Sequence, residues 1–239
     1  MTKLIDTHFH LDHYRNFLDV SSSINQLKQY TICVTNSPGV FLSCKNSISE
    51  TKYLKFAIGF HPQDSNLSDQ ELKDFMHLID RTSYVGEIGL DFTANKSYMP
   101  KSQQLLFFEK IVEVCASKNK LMTIHSRGAE VQTLTILKKY APKKAIIHWY
   151  TGNIDCLMQL LEIGCYFSVN SNMVAGKSRD KYLLIPKDRL LIESDGPYTK
   201  ISGNKFEPCM LRQGYDLIGD FFSDPFIDSS VFNNFNELL

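Results

Sequence analysis

Long apolar runs are missing from this 239-residue chain: no stretch approaches the ~18–20 residues a membrane-spanning helix needs. No charged-then-apolar leader opens it either, so a protein resident in the reduced cytoplasm is expected. Net charge is absent as well, because 26 basic residues balance 26 acidic ones. No global field therefore recruits nucleic acid or an anionic membrane, and any such contact must be local. The six cysteines (Cys33, Cys44, Cys115, Cys156, Cys165, Cys209) include no C-x-x-C pair, which leaves no redox or cysteine-zinc motif. Cys33, Cys115 and Cys165 lie in apolar segments, where free thiols pack as small hydrophobes. Low-complexity segments, charge blocks and short repeats are lacking too. At this length the chain suits one large domain, residues 1–239, and is short for two.

What is present is a coarse rhythm. Short apolar, β-rich runs occur at 4–7, 31–35, 56–60, 84–88, 121–124, 145–147, 166–169 and 190–192. Amphipathic helical patterns separate most of them, at 69–79, 103–117, 130–140 and 154–162, with weaker candidates at 21–29 and 41–53. The runs are continuous rather than alternating in polarity, the pattern of a parallel sheet buried on both faces. Eight of them at this spacing predict an α/β fold of the closed (β/α)8, or TIM barrel, type rather than an open doubly wound sheet.

Polar residues recur where these runs end. His8 and His10 close the first, and residues i and i+2 of a strand share a face, so both rings can reach one divalent ion. His61 closes the third run, Glu87 stands near the end of the fourth, His125 closes the fifth, His148 the sixth and Asp195 the eighth. In a barrel all carboxyl ends of the strands ring one face, so residues nearly two hundred positions apart converge there. Of seven histidines, five end predicted strands; His13, in a loop, and His77, in a helical pattern, are read as structural or solvent-exposed. Glu87 has small or apolar neighbours, Gly86 and Ile88, and a buried carboxylate there calls for a cation beside it.

The motifs Ile5-Asp6-Thr7-His8-Phe9-His10-Leu11-Asp12, Gly59-Phe60-His61-Pro62, Val85-Gly86-Glu87-Ile88-Gly89-Leu90-Asp91, Ile124-His125-Ser126-Arg127, His148-Trp149-Tyr150-Thr151-Gly152 and Glu193-Ser194-Asp195-Gly196-Pro197-Tyr198 follow one another in this order. With them the chain resembles the TatD-like metal-dependent nucleases of the amidohydrolase superfamily, which are (β/α)8 barrels. The resemblance spans nearly the whole chain, and the tail from Glu207-Pro208 to Leu239 looks like the family's closing helices. It implies two divalent ions: one on His8, His10 and Asp195, the other on His125 and His148, with Glu87 between them. His61 would face the substrate phosphate. Two cations about 3.5–4 Å apart can activate water and neutralise both attacking and leaving oxygens of a phosphodiester, with Asp195 as general base. Arg127 offers a bidentate contact to a phosphate, or an ordinary salt bridge at a helix start. Imidazole-rich ligation favours Zn2+ or Mn2+, while family members commonly work with Mg2+.

The sequence also departs from the family. Gln63 replaces a frequent second histidine, and Asn204-Lys205-Phe206-Glu207-Pro208 replaces a stretch that usually carries arginine and asparagine; Trp149 and Gly196 differ from the commoner residues. The short loops and the His-Trp-Tyr and Asp-Gly-Pro runs look most like the TatD-type subunits of Qat anti-phage defence systems, which implies protein partners in a defence complex. A DNA strand end is the expected substrate. Aromatic residues near strand ends (Phe9, Phe60, Phe92, Trp149, Tyr150, Tyr198) are candidates for base stacking or for packing under the loops. Two competing readings are an amide or ester hydrolase acting on a modified nucleotide or aminoacyl-tRNA, and a barrel kept as a non-catalytic scaffold.

Overall fold

The computed structural model describes residues 3–64, 66–93 and 99–239. Parallel strands β1 (Ile5–Phe9), β2 (Tyr30–Cys33) and β3 (Leu54–Phe56) form one sheet, and β4 (Ile58–Phe60), β5 (Tyr84–Asp91), β6 (Leu121–Arg127), β7 (Ala145–His148), β8 (Tyr166–Val169) and β9 (Leu190–Ile192) form a second. The two sheets are stitched into a barrel. Thr35 donates to Gly86 O (3.0 Å) and accepts from Glu87 N (2.9 Å) at one join. At the other, Asp195 N donates to His8 O (2.9 Å) and His10 N to Gly196 O (2.8 Å). The fold is thus the expected TIM barrel, with the third predicted run broken at Ala57 into β3 and β4. Nearly every strand residue is buried, as continuous apolar runs require of a sheet covered on both faces.

The outer helices are α1 (Phe17–Leu27), α2 (Pro38–Ser47), α3 (Asp69–Leu78), α4 (Lys101–Ser117), α5 (Glu130–Tyr140), α6 (Ile154–Glu162), α7 (Ser171–Ala175), α8 (Leu211–Phe222) and α9 (Ile227–Leu238). α1 and α2 both begin before the weaker helical patterns at 21–29 and 41–53. α2 starts at Pro38, whose fixed φ suits a first helical position, after Ser37 caps Val40 N at 3.3 Å. α1 stops where Lys28 turns left-handed, at φ 55°. Ser68 and Asn153 cap α3 and α6 in the same way as Ser37. Between β8 and β9 the five-residue α7 and 3-10 turns stand in for a full helix. The tail forms the closing helices α8 and α9, as the resemblance implied. No helix among the described residues is long and apolar enough to cross a membrane.

Candidate metal centre

All seven residues singled out at strand ends meet at the carboxyl face of the barrel. Glu87 is the hub. Its Oε2 lies 3.4 Å from His8 Nε2 and 3.3 Å from His10 Nε2. Its Oε1 lies 2.9 Å from His125 Nδ1, 3.3 Å from His61 Nε2 and 3.7 Å from His148 Nε2. One carboxylate thereby divides five imidazoles into two sets. Asp195 Oδ1 joins the first set, 3.6 Å from His8 Nε2 and 3.5 Å from His10 Nε2. Among the described residues four overlapping groups bring ligand atoms within 4.8 Å of one another: His8–His10–Asp195, His8–Glu87–His148, His61–Glu87–His125 and, toward the rim, His10–Asp12–His13. His61 thus stands as near Glu87 as the residues assigned to ligation.

Local backbone departures aim these side chains. β5 carries a bulge: its register shifts between Val85 and Ile88 against both neighbours, which turns Glu87 toward the barrel axis. Gly86 makes room, since a Cβ there would lie 2.0 Å from Thr123 Cγ2. Asp195 sits in the left-handed region at φ 49°, and Trp149 at φ 37°. Such conformations cost on the order of 1–3 kcal/mol and persist where surrounding bonds over-determine them. For Asp195 those bonds are its N–H to His8 O (2.9 Å) and Tyr198 N–H to its own carbonyl (2.8 Å). The unusual Gly196 also has a steric cause: a Cβ would fall 2.7 Å from Phe206, Phe9 and Tyr14 Oη.

Behind the ligands stands a layer of polar residues to which the sequence reading gave no role. Thr123 Oγ1 lies 2.9 Å from His8 Nδ1. Glu193 Oε2 lies 2.8 Å from His148 Nδ1, and the Glu193 carboxylate accepts from Ser168 Oγ and from Asn170 Nδ2 (2.9 Å). Asp91 Oδ2 lies 3.0 Å from His125 Nε2 and accepts from Gln63 Nε2 at 2.5 Å, so the glutamine that replaces a family histidine secures this carboxylate. Asp6 holds the Asp195 turn, accepting from Ser194 N (2.8 Å) and Ser194 Oγ (2.5 Å). Partners of this kind fix ring orientation and tautomer. The available signal is a charged residue in or just past an apolar run, two to four positions from a ligand, as with Asp6, Asp91 and Glu193.

The electrostatics follow from burial. Desolvation opposes ionisation of Glu87, but His61, His8, His10 and His125 outweigh it and hold the carboxyl well below its ordinary range. Desolvation likewise opposes charge on Asp195, and His10, His148 and His8 pull its pKa down. For His10 burial works against the proton, yet Asp195 and Glu87 raise its pKa to about 10; Asp91 and Glu87 bring His125 to about 9 against the same penalty. His8 is lowered, by burial and by His148. Burial pushes Asp6 up to about 7 despite its bonds to Ser194 and His8.

The donor set fits divalent ions. Asp195 Oδ1 and His10 Nδ1 are buried without a hydrogen-bond partner among the described residues. A buried orphan carboxylate oxygen is rare and costly; here it sits 3.5–3.6 Å from two imidazole nitrogens that converge on the same region. Imidazole and carboxylate donors in this mixture suit Zn2+, Mn2+ or Mg2+. The centre opens into a cavity of about 540 Å3 whose rim includes Arg127, Trp149 and Tyr198. Arg127 is exposed and makes no ion pair among the described residues, so the helix-start salt bridge is not formed there. Phe9, Phe60 and Tyr150 are buried and serve packing, whereas Tyr198 is exposed. His77 is exposed on α3, as expected. His13 is half-buried against His10, with rings parallel and 4.8 Å apart.

Comparison with known proteins places this geometry. The chain is 27% identical over 232 residues to the metal-dependent hydrolase YabD of Bacillus subtilis, covering 91% of this chain and 90% of YabD. It is 27% identical over 186 residues to the 3'-5' ssDNA/RNA exonuclease TatD of Dickeya dadantii, covering 71% and 69%. The crystal structure of YJJV, a TatD homologue from Escherichia coli, superposes with a TM-score of 0.88 at 21% identity, covering 100% of this chain and 98% of the other. The profile of TatD-related DNases matches residues 5–234, and the chain belongs to that family of metal-dependent hydrolases.

Proposed function

We propose that this hydrolase cleaves phosphodiester bonds of DNA from a strand end, and that residues 1–239 act as one hydrolase domain. The observation that carries the reading is the division of five imidazoles between the two oxygens of Glu87, beside an unpartnered Asp195 oxygen. Two divalent ions held by His8, His10 and Asp195 and by His125 and His148, with Glu87 shared, would supply Lewis acidity and a lowered pKa for the attacking water. Asp195, kept ionised by the imidazoles around it, takes the proton of that water. His61 meets the scissile phosphate. Arg127, at the rim with its guanidinium uncommitted to any ion pair among the described residues, adds a two-pronged contact to a phosphate oxygen pair. The strand ends place the ligands at the floor of this cavity, and a chain end reaches such a floor more readily than the middle of a duplex. Relatives named as a DNase and as a 3'-5' ssDNA/RNA exonuclease support the same bond class.

The likeness to Qat subunits extends the proposal to anti-phage defence in the cytoplasm, with protein partners. A second reading keeps the ions and changes the bond to an amide or ester of a modified nucleotide or aminoacyl-tRNA. It is favoured by one observation: Arg127 is the sole lysine or arginine among the described residues of the cavity lining, which is sparse for a polyanion. End-labelled single-stranded and duplex DNA, RNA, and amide and ester substrates should be incubated side by side with protein loaded with Mn2+, Mg2+ or Zn2+. Stepwise shortening of DNA is the expected result. Intact oligonucleotides alongside cleaved amides or esters would overturn the nuclease reading.

A further inference from the structure

His13 lies beside His10 and Asp12 but belongs to neither ion site proposed above, because both of its ring nitrogens face other partners that tie it to the rim. Its Nε2 lies 3.3 Å from Asp12 Oδ2, and its Nδ1 lies 2.8 Å from the Tyr198 hydroxyl. The carboxylate favours the tautomer with its proton on Nε2, which leaves Nδ1 to accept from the phenol. Tyr198 is thus held at its tip, while its backbone N–H is fixed to Asp195 O at 2.8 Å. Even so, the residue is 57% exposed. Because the hydroxyl is engaged, the part offered to the cavity is the ring. Tyr198 stands at 84° to His10 (centroids 5.5 Å) and at 83° to His13 (5.6 Å), so neither imidazole lies flat against it.

An exposed aromatic ring with both ends anchored has already lost the rotamer freedom that a ligand would otherwise have to remove, which is pre-organisation for a planar partner. The partner must be flat and need not be charged, since the phosphate contacts lie elsewhere, at the ions below and at Arg127 on the rim. From the Asp12–His13–Tyr198 chain we infer a nucleobase subsite: Tyr198 is a stacking platform for a base next to the scissile phosphate, and His13 is the residue that positions it. This rests on the nuclease reading and narrows its substrate to ends that carry an unpaired base.

The test uses metal-loaded protein and two single-stranded oligonucleotides, one ending in a normal base and one in an abasic residue, with kcat and KM measured for each. Stacking on an aromatic ring predicts that Tyr198→Ala raises KM for the normal end about 10- to 100-fold while kcat moves far less. For the abasic end the penalty should all but vanish. Tyr198→Phe and His13→Ala keep the ring and break the latch, so each should raise KM for the normal end by a smaller and similar factor. Combined, they should cost no more than either alone. Should Tyr198→Ala misfold by circular dichroism, the Tyr198→Phe and His13→Ala variants decide the matter. An unchanged KM in these variants, or equal losses on both oligonucleotides, overturns the subsite alone. A wild-type enzyme that cuts neither oligonucleotide overturns the nuclease reading and the subsite with it.

Discussion

Asp195 combines three properties that are rarely found together: a left-handed backbone, an orphaned buried oxygen and a lowered pKa. Asparagine tolerates the same backbone region at little cost, so Asp195→Asn should fold like the wild type. It removes the proton acceptor and one negative ligand, and hydrolytic turnover should fall at least 10²–10⁴-fold, the range typical of general-base loss. Wild-type turnover at unchanged ion content would refute the role. A second residue-scale expectation concerns protons. Without ions, His10 and His125 hold theirs up to about pH 10 and about pH 9, because Asp195, Glu87 and Asp91 outweigh the burial penalty. A cation needs the neutral imidazoles, so it must displace those protons. Ion affinity should therefore tighten as pH rises from about 6, by up to about tenfold per unit for each proton released, and level off above about 10. Calorimetric titration in buffers of different ionisation heat reads the released protons directly. An affinity independent of pH would show that the rings are already neutral.

At the scale of elements, β5 does the positioning. Its bulge aims Glu87, and Gly86 lets that strand pass Thr123. A methyl group at Gly86 would meet Thr123 Cγ2 at 2.0 Å, and Thr123 Oγ1 is the group that orients His8. Gly86→Ala should thus cost about 1–3 kcal/mol, as overpacking does, and also weaken ion binding, seen as a lower Tm and less bound metal after dialysis. A Tm loss with full metal retention would mean that Thr123 shifts without disturbing His8. The eight runs, the order of the ligands and their shared face were legible in the sequence because each depends on local patterning and on the rule that parallel barrel strands end together. Other features depend on packing between distant segments. The break at Ala57, the bulge beside Glu87 and the clash that forbids a side chain on Gly196 arise from contacts with residues up to two hundred positions away. The pairing of His13 with Tyr198 is of the same kind, joining residues 185 positions apart, so a histidine that looks incidental in its own loop acquires a partner at the rim.

For the whole molecule, the seam where the first strand meets the last is paired at the Asp195–Gly196 turn and by Thr7 Oγ1 donating to Ile192 O at 3.1 Å. The closing helices reinforce that seam from the opposite end. On α8, Tyr215 is fully buried; its hydroxyl accepts from Ile5 N at 3.0 Å and donates to Ile5 O at 2.7 Å, closing the backbone of β1. On α9, Asn234 Nδ2 donates to Lys187 O (2.7 Å) and Leu190 O (2.8 Å), at the start of β9. Both side chains replace the strand-to-strand bonds that a closing barrel leaves open at its amino end. Tyr215→Phe keeps the ring and strands one N–H and one C=O away from water, a loss of about 1–3 kcal/mol for each group left unsatisfied. In a chain of this size the two losses together lower Tm by at least about 4–8 °C. The residue lies at the far end of the barrel from the ligands, so the protein that remains folded should bind its metal with unchanged affinity, measured by titration well below the new Tm. If metal affinity falls along with Tm, the seam transmits strain along β1 to His8 and His10, and stability and site cannot be tuned separately.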